Sequence, residues 1–543
     1  MTVAYPTCYV EVYPFEGGQY SIVGGQILVC QVHKNIRDVA GAFTINLAPG
    51  GPMGPNSGPS WLDIITPMSF VLIGMSRAGQ SAIVMIGVVT SITESETWEP
   101  ENPVRRTIAV AGQDFGYFFT SFNWNALTFL GPAATIIGGA IGDPGLGYSQ
   151  AFGMGLLTGT PAEVAKMWYT KVMSGDSGIL GQTYVNWAGR QVKFSEAMSY
   201  IFEEYPGFII PYGDYFMTSD GSWAEKFRAI LEWPFYEFFV ITAPPNIYGA
   251  SGGTKFTMKN LQGVSATPTL VGRLNPLPFV HFSAGGDGTV SINSVDTAKW
   301  DKLSFYQMNT GFMESSGRFS DEEVANFYMI NPLNMASMYG QTNGNPVPYM
   351  YQYTGAVDPA SAHRFGFKPM IQESHWFVDL KGQNAQSNAA VGSGGTPVDK
   401  LMTDLLARLV SYHEPVSMMM RGGIEYPLHP TMLPGNKIQY QPFKGEPLWT
   451  GYAEIVDHIF AFGGGSRTRI GFTRGLPTSV YNNKSLLGKM CIGDAHRESG
   501  QYKAGLPSTK GQNKPLEVIN LANTASRQVI GDIAKLYVKP QGN

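Results

Sequence analysis

The chain has 543 residues, 43% of them apolar and 13% aromatic, enough for about three or four well-packed domains of ~150 residues each. Only 14% are charged, against ~25% in typical soluble domains, and 65 Gly, 36 Pro and 24 Met point to much loop and to surface that another subunit covers, or else to a large β-rich monomer with polar, uncharged faces. A formal charge of −4 argues against tight nucleic-acid binding, which needs clustered Lys and Arg to displace counterions, although not against loose passage of DNA past a neutral or acidic wall.

Residues 1–26 read as a lead-in with a short strand at Cys8 to Val12. They lack a basic region followed by an apolar run, so no secretory signal is expected. From Ile27 to Phe115 the chain reads as strands that close on themselves, carried by ILVCQVHKNIRDVAGAFTINL, WLDIITPMSFVLIGM, SAIVMIGVVTSITES and RRTIAVAGQDF. Phe43, Ile45 and Leu47 alternate with Thr44 and Asn46, and Ile108 and Val110 with Thr107, Ala109 and Ala111. That period of two marks strands with one face in a core. Arg37-Asp38, Pro49 to Pro59, Gly79-Gln80 and Glu99 to Pro103 supply the turns, a spacing that predicts a small sandwich or barrel.

The order of these pieces resembles the baseplate hub proteins of contractile-tailed bacteriophages, a group that includes the late control protein D family and the amino-terminal part of VgrG. The resemblance is carried by Arg37-Asp38-Val39-Ala40-Gly41-Ala42-Phe43-Thr44, Trp61 to Ile73, Gly87-Val88-Val89 and Ala111-Gly112-Gln113-Asp114-Phe115, which fit that family's first barrel. Helix 223–233, PFYEFFVI, Gly272 to Phe279, Asp321 to Asn326, His363-Arg364-Phe365-Gly366 and the helix after Thr396-Pro397 fit its mixed middle part. Residues 117–221 fit least.

Along that middle stretch, GYFFTSFNWNALTFL is expected to be part helix, and Gly131 to Gly159 to be a tightly packed loop or a segment buried by partners, because Pro132, Asp143, Pro144 and the glycines break any membrane-spanning helix. Thr160-Pro161-Ala162-Glu163, Ser222-Trp223-Ala224-Glu225 and Ser320-Asp321-Glu322-Glu323 read as capping boxes. They predict helices with Val164, Met167, Trp168 and Val172, with Phe227, Ile230 and Leu231, and with Val324 and Phe327 inward. Pro234 is expected to end the second. The helix after Pro397 carries Leu401, Leu405 and Leu409 and runs to about Tyr412.

A repeat follows. Gly435 to Tyr440, Gly451 to Val456 and Arg467 to Phe472 keep the order of Phe70 to Ile73, Gly87 to Ile92 and Thr107 to Gly112, with Thr468, Ile470 and Phe472 facing a second core. Arg497 to Pro515 reads as a linker or arm, and Leu516 to Val538 as a helix that docks on a partner or folds back on its own chain. The fold class expected is α+β and β-rich, with two related tail-tube-like β-barrel domains joined by mixed α/β middle domains. The boundaries are 1–116 for the first barrel with its lead-in, 117–221 for a helical and Gly-rich region, 222–423 for the middle domain, 424–480 for the second barrel and 481–543 for the C-terminal linker and arm.

No catalytic, cofactor-binding or metal-binding residue stands out. His413, His429 and His458 lie in one region without HExxH or His/Cys spacing. Cys8, Cys30 and Cys491 form no CxxC pair and no even disulfide framework. Gly463-Gly464-Gly465 lies between two strands and reads as a hairpin turn instead of a phosphate cradle. Glu94 and Glu96, at i and i+2 on a strand, read as a solvated edge.

The resemblance implies a non-enzymatic virion protein of the tail baseplate, assembled in the host cytoplasm, with no cofactor and no membrane span. It implies a homotrimeric ring of pseudo-sixfold symmetry. Such a ring joins a sixfold tail tube, or its initiator, to a threefold central spike, meets tape measure and wedge proteins, and lets DNA pass without specific binding. A tail-associated cell-wall hydrolase and the spike protein of a secretion system are the competing readings.

Overall fold

Alternating burial along Ala42–Leu47, with Phe43, Ile45 and Leu47 inside and Thr44 exposed, sets the architecture of the amino-terminal part. The computed structural model describes residues 5–53, 58–99, 102–121, 159–173, 184–187, 190–210, 221–244, 258–259, 263–284, 290–308, 314–332, 339–342, 345–348, 354–378, 397–441, 447–492 and 517–520. Strands β1 (Thr7–Tyr13), β2 (Tyr20–Val23), β3 (Ile27–Asn35), β4 (Ala42–Leu47), β5 (Phe70–Arg77), β6 (Gln80–Glu99) and β7 (Asn102–Asp114) pair antiparallel in the order β2-β1-β5-β6-β7-β4-β3. Val10, Val32, Phe43, Ile45, Val71, Ile73, Met85 and Val110 fill the core that these strands wrap. The β5–β6 hairpin turns at Ala78 and Gly79, both with positive φ, the backbone twist a two-residue turn needs.

β5 and the first half of β6, to Val89, read as almost unbroken apolar runs because both of their faces are buried there. Phe70, Leu72, Ile86 and Val88 point away from the first core into a second, larger one. There they meet a layer of β8 (Ser199–Phe202), β9 (Tyr236–Ala243) and β10 (Ser265–Leu274). β10 pairs parallel with β8 and antiparallel with β9, and every residue of β9 is buried. The Thr242 hydroxyl accepts the Ile86 amide at 3.1 Å, tying the layers together. Helix Trp223–Ile230 packs here, its Phe227 ring stacked on Phe238 at 5.2 Å. So does the helical segment from Pro161 to Met173, with Trp168 edge-on to Trp223 at 6.1 Å. Both helices begin with reciprocal capping boxes, Thr160 with Glu163 and Ser222 with Glu225. Helix Pro397–His413 buries Leu405, Leu409 and Val410 against the same core.

A second lobe is built from β11 (Phe305–Met308), β12 (Glu314–Arg318), β13 (Met420–Pro427), β14 (Asn436–Tyr440), β15 (Trp449–Ala461) and β16 (Arg467–Pro477). Its path, β11-β14-β15-β16-β13-β12, repeats β1-β5-β6-β7-β4-β3 of the first lobe. One difference is that β11 runs parallel to β14, whereas β1 runs antiparallel to β5. The repeated segments of the sequence fall on the β5-β6-β7 and β14-β15-β16 meanders. Ile424, Ile438, Val456, Ile470 and Phe472 form the second-lobe core, and Thr468 is fully buried beside it. The Gly463-Gly464-Gly465 turn joins β15 to β16 with positive φ at all three positions.

Four expectations are corrected. The strands do not close into barrels: one 13-stranded sheet runs from β12 through β3 to β2, because β3 gives its outer edge to β15 instead of to its own lobe. Trp61–Ile64 is a helix, not a strand. Ser60 caps it by accepting the Leu62 amide at 3.1 Å, while Asp63 accepts the Ser60 amide at 2.8 Å. Asp321 to Glu323 form a turn and not a helix, because Glu323 is drawn to Arg421 at 3.1 Å and Asp321 to Lys368 at 3.3 Å, leaving the Ser320 amide uncapped by either. Glu517–Asn520 form a strand paired with Thr354–Val357, where a helix is expected from 516. The Gly-rich tract up to residue 158 and the 497–515 arm lie outside the described residues. No described helix is long and apolar enough to cross a membrane.

Phe43→Asp should lose ~3–5 kcal/mol from the ring alone, with the burial of an unpaired carboxylate in addition. Against a domain stability of ~5–15 kcal/mol, little soluble protein is expected. Thr44→Asp, on the exposed face, should melt within a few degrees of the parent. Equal melting of the two variants would refute the register.

Candidate functional site

The lobes meet along β3 and β15, whose antiparallel register runs from Asn35 opposite Ile455 to Val29 opposite Ala461. Alternation in ILVCQVHKN turns Cys30 and Val32 into the first core and leaves His33 on the other face. There its Nδ1 meets Asp457 at 2.5 Å. That hydrogen bond, against the opposing effect of partial burial, raises the imidazole pKa above its ordinary value. On the neighbouring residue, the Lys34 ammonium pairs with the fully buried Asp114, which also accepts the Gly116 amide at 2.8 Å. A Cβ on Gly41 would lie 2.7 Å from Lys34 Cδ and 2.8 Å from the His33 carbonyl, so glycine there is what lets the pair close.

The turn after β3 carries Arg37 across the junction. Its guanidinium reaches Glu454 at 3.1 Å and Glu323 at 3.9 Å and lies 5.2 Å from the Trp233 ring centre. Arg421 holds Glu323 from the other side. Burial works to raise the Glu323 carboxyl, but Arg421 and Arg37 outweigh it and hold the group below the usual carboxylate range. Deeper in, Arg273 Nε donates to Glu237 at 2.8 Å, and its Nη2 donates to the Gly435 carbonyl at 2.8 Å and the Tyr452 hydroxyl at 2.9 Å. Burial raises the Glu237 carboxyl despite that partner. These charges join the middle layer to the second lobe. The cleft bounded by Arg37, Glu323, Tyr412, Arg421, Glu454 and Arg474 encloses about 10 Å³, room for one water and not for a substrate.

The sequence singles out no site residue, and the residues it weighs do not converge. His429 and His458 share Thr468, whose hydroxyl oxygen accepts the His429 amide at 2.9 Å and lies 3.1 Å from His458 Nδ1. His458 Nε2 lies 3.1 Å from the Met432 carbonyl, which places the proton on Nε2. Burial outweighs that bond and pushes the His458 imidazole down to about 4. His413 sits elsewhere, against Tyr412 at 4.9 Å, and is also pushed down to about 4, by burial and then Arg474. Glu94 and Glu96 are exposed, Glu96 pairing with Arg106 at 3.2 Å. No group of three or more His, Cys, Asp or Glu among the described residues is placed to hold a metal. Glu232 is a buried carboxyl far from its usual state of charge. Burial lifts it to about 8, against the His375 amide that it accepts at 2.5 Å. Glu232, Glu237 and Arg273 are what the sequence reading missed, although each is a lone charge inside an apolar run, ILEWPF, PFYEFFVI and LVGRLNPLPF.

No family model and no curated protein matches the chain. Solved structures of phage and prophage tail proteins are similar to it. A tail protein from Neisseria meningitidis MC58 shares 8% identity at a TM-score of 0.40, covering 86% of this chain and 96% of that one. The 43 kDa tail protein of prophage MuSo2 from Shewanella oneidensis shares 9% at 0.40, covering 86% and 98%. Prophage tail protein gp18 from Listeria monocytogenes EGD-e shares 9% at 0.36, covering 89% and 98%. At these scores the likenesses decide neither the fold nor the role of this chain.

Two outcomes test the junction. Arg273→Met should destabilise the fold by ~3–5 kcal/mol in denaturant unfolding, because it strands a buried carboxylate, and adding Glu237→Gln should recover part of the loss. The second concerns pH. The folded chain keeps His458 neutral down to about pH 4, whereas the unfolded chain takes up that proton near ~6.5. At this residue the unfolded state therefore binds more protons between those values, so the stability that His458 contributes is full above ~6.5 and is lost as pH drops toward 4. Glu232, raised to about 8, titrates in the opposite sense over most of that window, so the comparison is with His458→Gln: the parent's thermal midpoint, taken relative to the variant's, should fall as pH drops from ~6.5 toward 4.

Proposed function

We propose that this chain is the structural hub of a phage tail baseplate, a homotrimeric ring of pseudo-sixfold symmetry that joins the sixfold tail tube to the threefold central spike. The observation that carries this is the repeated strand path, β1-β5-β6-β7-β4-β3 and β11-β14-β15-β16-β13-β12, running through one continuous sheet. A chain with two similar lobes presents six similar surfaces when three copies close a ring, and one surface of each chain as a whole, three in all. Closed rotational symmetry also stops the assembly from growing into a filament. The low charged fraction suits permanent interfaces, which commonly exceed ~2,000 Å² and are depleted in charge at their centres.

In this reading the partners are the tail tube or its initiator on one side and the central spike on the other, with the tape measure and wedge proteins nearby. DNA passes an axial opening whose wall, on a chain of net charge −4, binds it weakly or not at all. The protein is not an enzyme. It works by holding mismatched symmetries together, so its chemistry is that of backbone pairing and buried charge.

Light scattering of the purified protein, followed by axially averaged images of assembled tails, tests this directly. Three copies per tail and two lobes per copy are expected, and six copies overturn the proposal. Purified protein should clear no cell-wall substrate and carry no stoichiometric metal. One zinc per chain by elemental analysis would overturn the expectation of no metal, and clearing that a single Glu or Asp change abolishes would replace the hub reading with a hydrolase.

A further inference from the structure

The likeness between the lobes extends to individual strand partners. β6 and β7 slip register between Val89 and Ser91, and β15 and β16 slip between Ala453 and Ile455. Val89 faces Gly112 before the first slip, and Ala453 faces Phe472 before the second. Counted from that shared irregularity, Ile92, Thr93, Glu94, Ser95 and Glu96 of β6 correspond to Val456, Asp457, His458, Ile459 and Phe460 of β15. On the far side of the meander, Val29 faces Asn46 and Asn46 faces Ala109, as Glu314 faces Glu425 and Glu425 faces Arg469. Val29–His33 of β3 therefore correspond to Glu314–Arg318, the whole of β12.

The corresponding edges have different fates. The outer edge of β15 from Ile455 to Ala461 is filled by β3. The same edge of β6, beyond the slip, has no strand beside it among the described residues, since β5 pairs with β6 only as far as Val88. Thr93, Glu94, Ser95 and Glu96 there are exposed. β12, the counterpart of β3, ends the sheet, paired on one side to β13 and exposed at all its residues but Ser315. Among the described residues one lobe thus has an acceptor edge without a donor, and the other a donor edge without an acceptor.

We propose that β12 of one copy of this chain adds antiparallel to the open edge of β6 in the next copy, in the register that β3 uses on β15. This deepens the hub reading and rests on it for the closure of the ring. In that register Arg318 faces Thr93, Gly317 faces Glu94, Ser316 faces Ser95 and Ser315 faces Glu96. No like charges meet, and the long Glu94 side chain falls opposite a glycine. One residue further, Phe319, 59% exposed in the single chain, falls opposite Ile92, whose counterpart Val456 is fully buried. Backbone hydrogen bonds would supply the affinity and the alternating side chains the register. The two edges differ, so the contact is head to tail, the kind that generates rings when the rotation closes.

The test uses the full chain. Ser95→Cys and Ser316→Cys are made separately, mixed and oxidised. Cys8, Cys30 and Cys491 are buried and do not compete. A cross-linked pair is expected in the mixture and not in either variant alone. Glu94→Cys with Ser316→Cys should not cross-link, because its side chain points to the opposite face. Phe319→Glu should weaken self-association about tenfold or more by sedimentation. The cysteines are read in the free protein and in assembled tails, and absence of the cross-link from both overturns the proposal. A trimer without the cross-link sinks this contact and leaves the hub reading standing. A cross-link in a particle of another copy number does the reverse.

Discussion

The demand that every backbone amide and carbonyl of a buried strand find a partner governs this molecule, and β3 is where it is met across lobes. Its inner edge pairs with β4 and its outer edge with β15, so residues separated by more than four hundred positions share one ladder. A barrel closed within the first lobe would have left β15 with a bare edge beyond Glu454. By opening the first lobe, the chain turns two small sheets into one and gives the interlobe junction the rigidity of secondary structure. The ion pairs that surround it, His33 with Asp457 and Arg37 with Glu454, act on a geometry that the ladder has already fixed.

Burial then assigns each strand its rank. β5, the first half of β6 and β9 have apolar residues on both faces because they lie between cores. The lone charges within these runs are held by specific partners, such as Arg273 on Glu237 and Tyr452. Such pairs add little net stability for the desolvation they cost, but removing one partner strands a buried charge, which suits joints between layers that must adopt one arrangement only.

Much of this is written locally. Alternation marks Phe43 to Leu47, reciprocal capping marks the helices at Thr160 and Ser222, and spacing marks the repeated meander. What local pattern cannot carry is the choice of partner edge. Cys30 alternates correctly whether β3 closes its own lobe or crosses to Phe460. The Ser320 box failed for a related reason: its acidic residues had better partners, Arg421 and Lys368, brought near by segments far away in sequence. Ser60 with Asp63 is a legible cap, masked by the apolar run behind it, which has the look of a strand. The junction charges were missed because a single Glu among aromatics looks like noise until its partner, folded from another part of the chain, stands beside it.

The second lobe is interrupted. In the first lobe β3 and β4 follow each other through a short turn, whereas their counterparts β12 and β13 are separated by residues 319–419, which build helix Pro397–His413 and the strand Phe327–Pro332. As the chain leaves the ribosome, the first lobe has all its own strands once Asp114 has emerged, but the second must wait until Pro477 has been made. Pairings between distant residues form slowly because the loop between them must first be closed. The first lobe's own pairings are thus available before β15, the strand that fills β3's outer edge, has been made. That order reduces the time during which two unfinished, similar lobes could exchange strands, the characteristic misassembly of repeated domains.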